Sequence, residues 1–132
     1  MDDWKAWVGL PHEVGADPRE GRAACCVQIT KLVLESQGLT FPVAPERIYA
    51  LAEQKNAEQI AEIFAAHTQQ IEKAEPYCVT LFLDESIGYG VGIVVPDHDN
   101  GRLFLLIPHH RKGVLPVPVD VLASLKLYRV LL

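Results

Sequence analysis

Three cysteines and a few histidines are the residues in this chain whose types could do chemistry. Cys25 and Cys26 are adjacent, Cys78 stands apart, and no CxxC spacing joins them. That set argues against a disulfide framework and against a structural zinc site, and it fits a reducing compartment. As a nucleophile, Cys25 or Cys26 needs an imidazole base, for which His109 or His110 is available. The plain alternative is that both thiols are small core hydrophobes. A metal would find ligands in Asp97, His98 and Asp99 if a hairpin carried His109 or His110 to them; the plain alternative is a polar turn. His67 has no second ligand one turn away and reads as an edge-of-core residue. From these patterns no catalytic, cofactor or metal residue is assigned, and no cofactor is expected.

The elements that must position these residues divide into two halves. Trp4, Trp7 and Val8 share one face of a short opening turn that Gly9-Leu10-Pro11 ends, and Gly15 to Gly21 is dense in turn formers. Ala23 to Gln37 contains no Gly or Pro and predicts a largely buried helix stopped by Gly38. Pro45 to Gln54 predicts a short helix with Ile48, Leu51 and Ala52 inward. Asn56 caps another, with Ile60, Ile63, Phe64, His67 and Ile71 as its apolar stripe. After Pro76 the period changes. Cys78 to Leu83, Val91 to Val95 and Leu103 to Ile107 predict strands, the last two joined by a hairpin turn at Asn100-Gly101. Val114 to Val117 suggests a further strand, Val119 to Leu125 a short helix and Leu127 to Leu132 a closing strand. Helices first and an antiparallel meander second make an α+β layout in one domain over residues 1–132.

Composition narrows the functions. With 49% hydrophobic and 22% charged residues the chain is expected to fold. A net charge of -5 leaves no excess of Lys and Arg to neutralise a phosphate backbone, so nucleic acid is not an expected partner. The basic cluster His109-His110-Arg111-Lys112 reads as a solvated turn. The acidic opening Met1-Asp2-Asp3 is unlike a secretory signal, and no apolar run approaches the roughly 20 residues of a membrane span, so a soluble protein is expected.

Several stretches carry a resemblance. Trp7-Val8-Gly9-Leu10-Pro11, then Gly15-Ala16-Asp17-Pro18-Arg19-Glu20-Gly21, then Gly38-Leu39-Thr40-Phe41-Pro42 resemble the NlpC-type, papain-like cysteine peptidases, especially their phage-tail-associated branch. That branch reads Gly-Leu-Pro, then Gly-Arg-Asp-Pro-x-x-Gly-x-Asp-Cys-Trp-Gly-Leu-Val, then a helix closed by Gly-Ile-x-Leu-Pro. The family's cysteine opens a helix, where free amides favour the thiolate. Counted without gaps from Gly21 or back from Gly38, the nucleophile slot falls on Ala24. The family's His-Val-Gly-Ile matches Gly90-Val91-Gly92-Ile93, so Gly90 takes the base slot. The strand that would supply an orienting polar residue, Leu103-Phe104-Leu105-Leu106, is apolar. A Tyr-Arg closing strand recurs in Tyr128-Arg129.

The resemblance therefore implies a papain-like NlpC-type fold, with N-terminal helices packed on a C-terminal antiparallel sheet, that has lost its catalytic Cys and His. The expected function is a non-catalytic structural component of a phage tail tip, assembled in the bacterial cytoplasm, residing in the virion and partnered by other phage tail proteins. Its old groove is expected to be filled, with Tyr77 and Cys78 as fillers. The alternatives are an active cell-wall hydrolase with Cys25 or Cys26 as a shifted nucleophile, and a peptidase-fold binding or immunity protein. A helix turns about 100° per residue, so a one-residue shift is expected to turn the thiol away from the groove.

Overall fold

The helices form where Gly and Pro are absent or correctly placed. In the computed structural model, which describes residues 3–84, 88–109, 111–121 and 127–130, α1 spans Cys26–Ser36 and buries Val27, Ile29, Thr30, Val33 and Leu34. Gly38, at φ 76°, ends it. There the Gly38 amide donates to Glu35 O at 3.1 Å and the Leu39 amide to Leu34 O at 3.0 Å, which satisfies the last carbonyls of the helix. Helix α2, Pro45–Glu53, starts on proline, where a missing amide costs nothing. Helix α3, Ala57–Ala65, is capped by Asn56, whose side-chain oxygen accepts from the Gln59 amide at 3.2 Å.

The stripe expected to run on through His67 to Ile71 does not continue as helix. Residues Thr68–Ile71 form strand β1. Thr68 Oγ1 donates to Phe64 O at 2.6 Å as the helix ends, and a later strand supplies the backbone pairing that solvent would otherwise provide. Ile71 matched the helical period only because one turn and one strand happen to bring it back to an apolar cluster, which contains Cys78, Phe82 and Leu127. His67 sits in the turn and is exposed rather than at a core edge.

The remaining strands are β2 (Val79–Asp84), β3 (Gly88–Pro96), β4 (Leu103–His109), β5 (Gly113–Pro118) and β6 (Leu127–Val130). They form a six-stranded sheet in the order β1-β6-β2-β3-β4-β5, with every pairing antiparallel. The predicted α+β layout holds, and β2 to β5 do form a meander. The departure is β6, which enters between β1 and β2, pairing Tyr128 with both Gln70 and Val79. Gly101, at φ 73°, closes the β3–β4 turn, with its amide donating to Asp97 O at 2.7 Å. Of the helix expected over Val119 to Leu125, Val119–Val121 form a single 3₁₀ turn, and 122–126 lie outside the described residues, as do 131 and 132 of the closing strand.

Alternation along the strands divides the core. Val91, Ile93 and Val95 join the larger cluster with Ile29, Leu34 and Phe64, while Val94 joins Cys26, Cys78, Phe82 and Leu105. The N-terminal segment closes this framework. It opens with a 3₁₀ turn, Asp3–Trp7, whose Trp4 indole donates to Pro96 O at 3.2 Å. The Gly9 amide then donates to Val114 O at 2.9 Å and the Val114 amide to Leu10 O at 3.0 Å, so the segment lies along β5. Three residues later it meets the entry to α1. The Ala24 amide donates to Pro11 O at 2.9 Å and the Glu13 amide to Ala24 O at 3.0 Å, which pairs His12 with Ala24 in a parallel bridge.

Candidate active site

That bridge leads into the two adjacent thiols, Cys25 and Cys26, which are both buried and both line one cleft. Ala24 is extended and fully buried, and Cys25 is the N-cap of α1, with φ -125° and ψ 132°. The 100° rotation per residue applies inside a helix, and neither residue is inside one. Cys25 therefore lies at the mouth of α1, where the amides of the first turn have no intrahelical partner. It lines an open cleft of about 740 Å³ between α1, α2, β3 and the N-terminal loop.

The cleft collects groups from five segments. The loop gives His12 and Val14, α1 and its N-cap give Cys25, Cys26 and Val27, α2 gives Glu46, Ile48, Tyr49 and Glu53, β2 gives Phe82, and β3 gives Tyr89, Gly90 and Val91. Most of the wall is apolar, with a small set of polar groups converging on Cys25, which is the composition of a small-molecule or peptide site.

The electrostatics at Cys25 favour the thiolate. Burial is the largest influence and pushes its thiol up, but a hydrogen bond from His12 and the backbone amides of Gly15, Gln28 and Val27 together outweigh it, so the net shift is downward. Tyr49 stands beside the sulfur. Its hydroxyl accepts from Gln28 Nε2 at 2.8 Å, and it interacts with Cys25 as well. Burial, and next the Cys25 charge, push the phenol up, which keeps it a neutral hydroxyl.

Cys26 lines the same cleft, but the influences on its thiol only raise it. It is 5% exposed, its thiol lies 3.8 Å from Leu106 O, and burial pushes it far up, with the Cys25 charge adding. As a shifted nucleophile Cys26 is less suited than Cys25: both thiols are buried, at 5% and 3% exposure, but the Cys26 sulfur faces the β4 backbone and its thiol is pushed up where that of Cys25 is shifted down. Cys78 is 1% exposed, and burial pushes its thiol up as well. It packs with Cys26, Phe82 and Val94 instead of filling a groove. Tyr77 lines a separate cleft with Trp4, Trp7 and Arg19. The expectation of a filled groove is thus corrected: Tyr77 and Cys78 are used elsewhere, and the space around Cys25 is open.

Of the two bases anticipated in the sequence, His109 is not where the thiol is. His109 ends β4 and accepts the Arg111 and Lys112 amides on Nδ1 at 3.1 and 3.0 Å, away from the cleft. His110 lies outside the described residues. Gly90, by contrast, does line the cleft. A Cβ built on it would stand 3.7 Å from Val27 Cγ2, so the strand and the helix face each other there without an imidazole. The imidazole that does reach Cys25 is His12, which the sequence reading passed over. Its only sequence signal is position, directly after Gly9-Leu10-Pro11, in the segment that must cross β5 before the helix begins.

Among the described residues the alternative metal constellation does not assemble either. The Asp97 carboxylate takes Lys5 Nζ at 2.8 Å, the Asp99 amide at 2.9 Å and the Asn100 side chain at 3.3 Å, which makes Asp97–Asp99 a polar turn tied to the N-terminus. Among the described residues no group of three or more His, Cys, Asp or Glu side chains could hold a metal ion. Nor is any described helix long and apolar enough to cross a membrane.

Comparison with protein-family models, with curated proteins and with solved structures finds no match for this chain.

Proposed function

We propose that the chain is a cysteine-dependent amide hydrolase built on a frame resembling the NlpC-type peptidases, with Cys25 as nucleophile and His12 as its acid–base partner. The observation that carries this reading is the placement of Cys25 at the N-terminus of α1, in an open cleft, beside His12. In this scheme the Cys25 proton passes to His12, and the sulfur attacks the carbonyl carbon of a bound amide. Collapse breaks the C–N bond, and the leaving amine takes the proton from His12. A water deprotonated by His12 then hydrolyses the thioester and restores the thiol. The frame supports cell-wall peptides as the substrate, as the resemblance implies.

The test is hydrolysis of purified peptidoglycan, followed by the release of new amino groups. The intact chain is expected to release them, and Cys25→Ala and His12→Ala to release at least a hundredfold fewer. Release that survives Cys25→Ala would sink the proposal.

A second reading is favoured by one observation. Gly90 on β3 and Val27 on α1 meet without an imidazole between them, which supports a peptidase-like domain retained as a non-catalytic part of a phage tail tip, with other tail proteins as partners in the virion. Under that reading the chain releases no amino groups and enters a larger assembly when mixed with its native neighbours, as a size measurement would register. A peptidase-fold binding or immunity protein would instead stay small and bind one soluble partner.

A further inference from the structure

The cleft is charged on one side only. Glu46 and Glu53 both line it. They are seven residues apart on α2, two helical turns, so they stand on the same face about 10 Å apart along the axis. Neither takes part in an ion pair among the described residues. Among the described residues no Lys or Arg lines the cleft. The field of Glu46 reaches the Tyr49 hydroxyl, which adjoins Cys25. The opposite walls, from Val14, Phe82 and Val91, are apolar.

We infer that this site selects substrates carrying a positive charge, such as a primary ammonium, next to an apolar body, with the carboxylates of Glu46 and Glu53 attracting the charge and disfavouring analogues that place a carboxylate at that same position. The inference rests on the proposed thiol site and names the class of substrate it takes. Two carboxylates on one wall of a cleft with low-dielectric sides raise the local concentration of cations and lower that of anions.

The experiment uses two methanethiosulfonate reagents of similar size, one bearing a trimethylammonium group and the other a sulfonate. In each, the Cys25 thiolate attacks the sulfenyl sulfur, a mixed disulfide forms and methanesulfinate leaves. Rates are read by mass on the full chain, assigned to Cys25 by peptide mapping, and divided by the rates with neutral 2-mercaptoethanol. The ammonium reagent is expected to label Cys25 about tenfold faster than the sulfonate reagent at low salt, with the ratio shrinking in 1 M salt. In Glu46→Gln/Glu53→Gln the ratio is expected to approach one. Both residues are exposed, so this variant should keep its fold, which circular dichroism checks. Equal rates in the unmodified chain, or a ratio that the double variant leaves unchanged, would overturn the inference while leaving the thiol site intact. Failure of both reagents to label Cys25 would instead overturn the thiol site itself.

Discussion

Gly113 stands so close to Leu10 that no side-chain carbon fits between them: a Cβ on Gly113 would collide with the Leu10 carbonyl oxygen and lie 2.7 Å from the Gly9 oxygen. This contact holds the N-terminal segment against β5, two residues before His12. Gly113→Ala is therefore expected to destabilise the fold by about 1–3 kcal/mol through backbone displacement and strain at φ 76°. It should also slow alkylation of Cys25 by moving His12. Gly101→Ala is the control, since Gly101 also has a positive φ but open space around it. Denaturant titration and alkylation rates of the two variants should separate, with only Gly113→Ala affecting the thiol.

The three thiols differ in environment enough to be counted. All are free and buried, but burial pushes Cys26 and Cys78 up, while at Cys25 hydrogen bonds outweigh it and shift the thiol down. Brief iodoacetamide treatment of the native chain should add one label, mapped to Cys25, and treatment in denaturant should add three. Two labels on the native chain would contradict this ordering of the three thiols, in which only Cys25 is shifted toward the thiolate.

A rate profile against pH checks the role of His12. Because the Cys25 thiol is held below its ordinary value, its alkylation should reach half its maximum at a pH below that of a free cysteine. His12→Ala removes a lowering influence, so the midpoint should rise and the rate at pH 7 should fall. An unchanged midpoint would show that the backbone amides act without His12.

Glu75 and Arg129 tie the turn before β2 to β6 through hydrogen bonds of 2.6 and 2.9 Å. The Arg129 guanidinium holds the Glu75 carboxyl below its usual value. A lowered carboxylate contributes stability above its unfolded pKa and loses it as pH falls through the folded one. Glu75→Gln should accordingly lower Tm slightly at pH 7, and the difference should vanish near pH 2. Both side chains are part-exposed, so high salt should shrink it too.

Local signals carried much of the fold into the sequence. Gly38 stops α1, Asn56 caps α3, and Gly101 closes the β3–β4 turn, each because one residue fixes one backbone conformation. What local pattern could not carry was pairing at a distance. Thr68–Ile71 became a strand because β6 pairs with it, and nothing within a few residues of Ile71 announces that partner. The site was half legible for the same reason. Cys25 stood out by type and Gly90 only through the resemblance, but counting without gaps fixes a residue number and not the residue at which a helix begins. His12 reaches Cys25 only through the bridge to Ala24 and the bonds to Val114. Glu46 and Glu53 carried the signal of a shared helical face, which has meaning only once α2 is known to border a cleft.

The insertion of β6 between β1 and β2 bears on how the chain reaches its native state. Strand β1 touches the sheet only through β6, so Thr68 must wait for Val130, while β2 to β5 can zip from neighbouring turns. Such long-range closure is slow, because the loop entropy is lost before the pairing returns anything. On a ribosome, the helices and the meander would emerge with one strand edge bare, and the sheet would be completed only after residues 127–130 leave the exit tunnel.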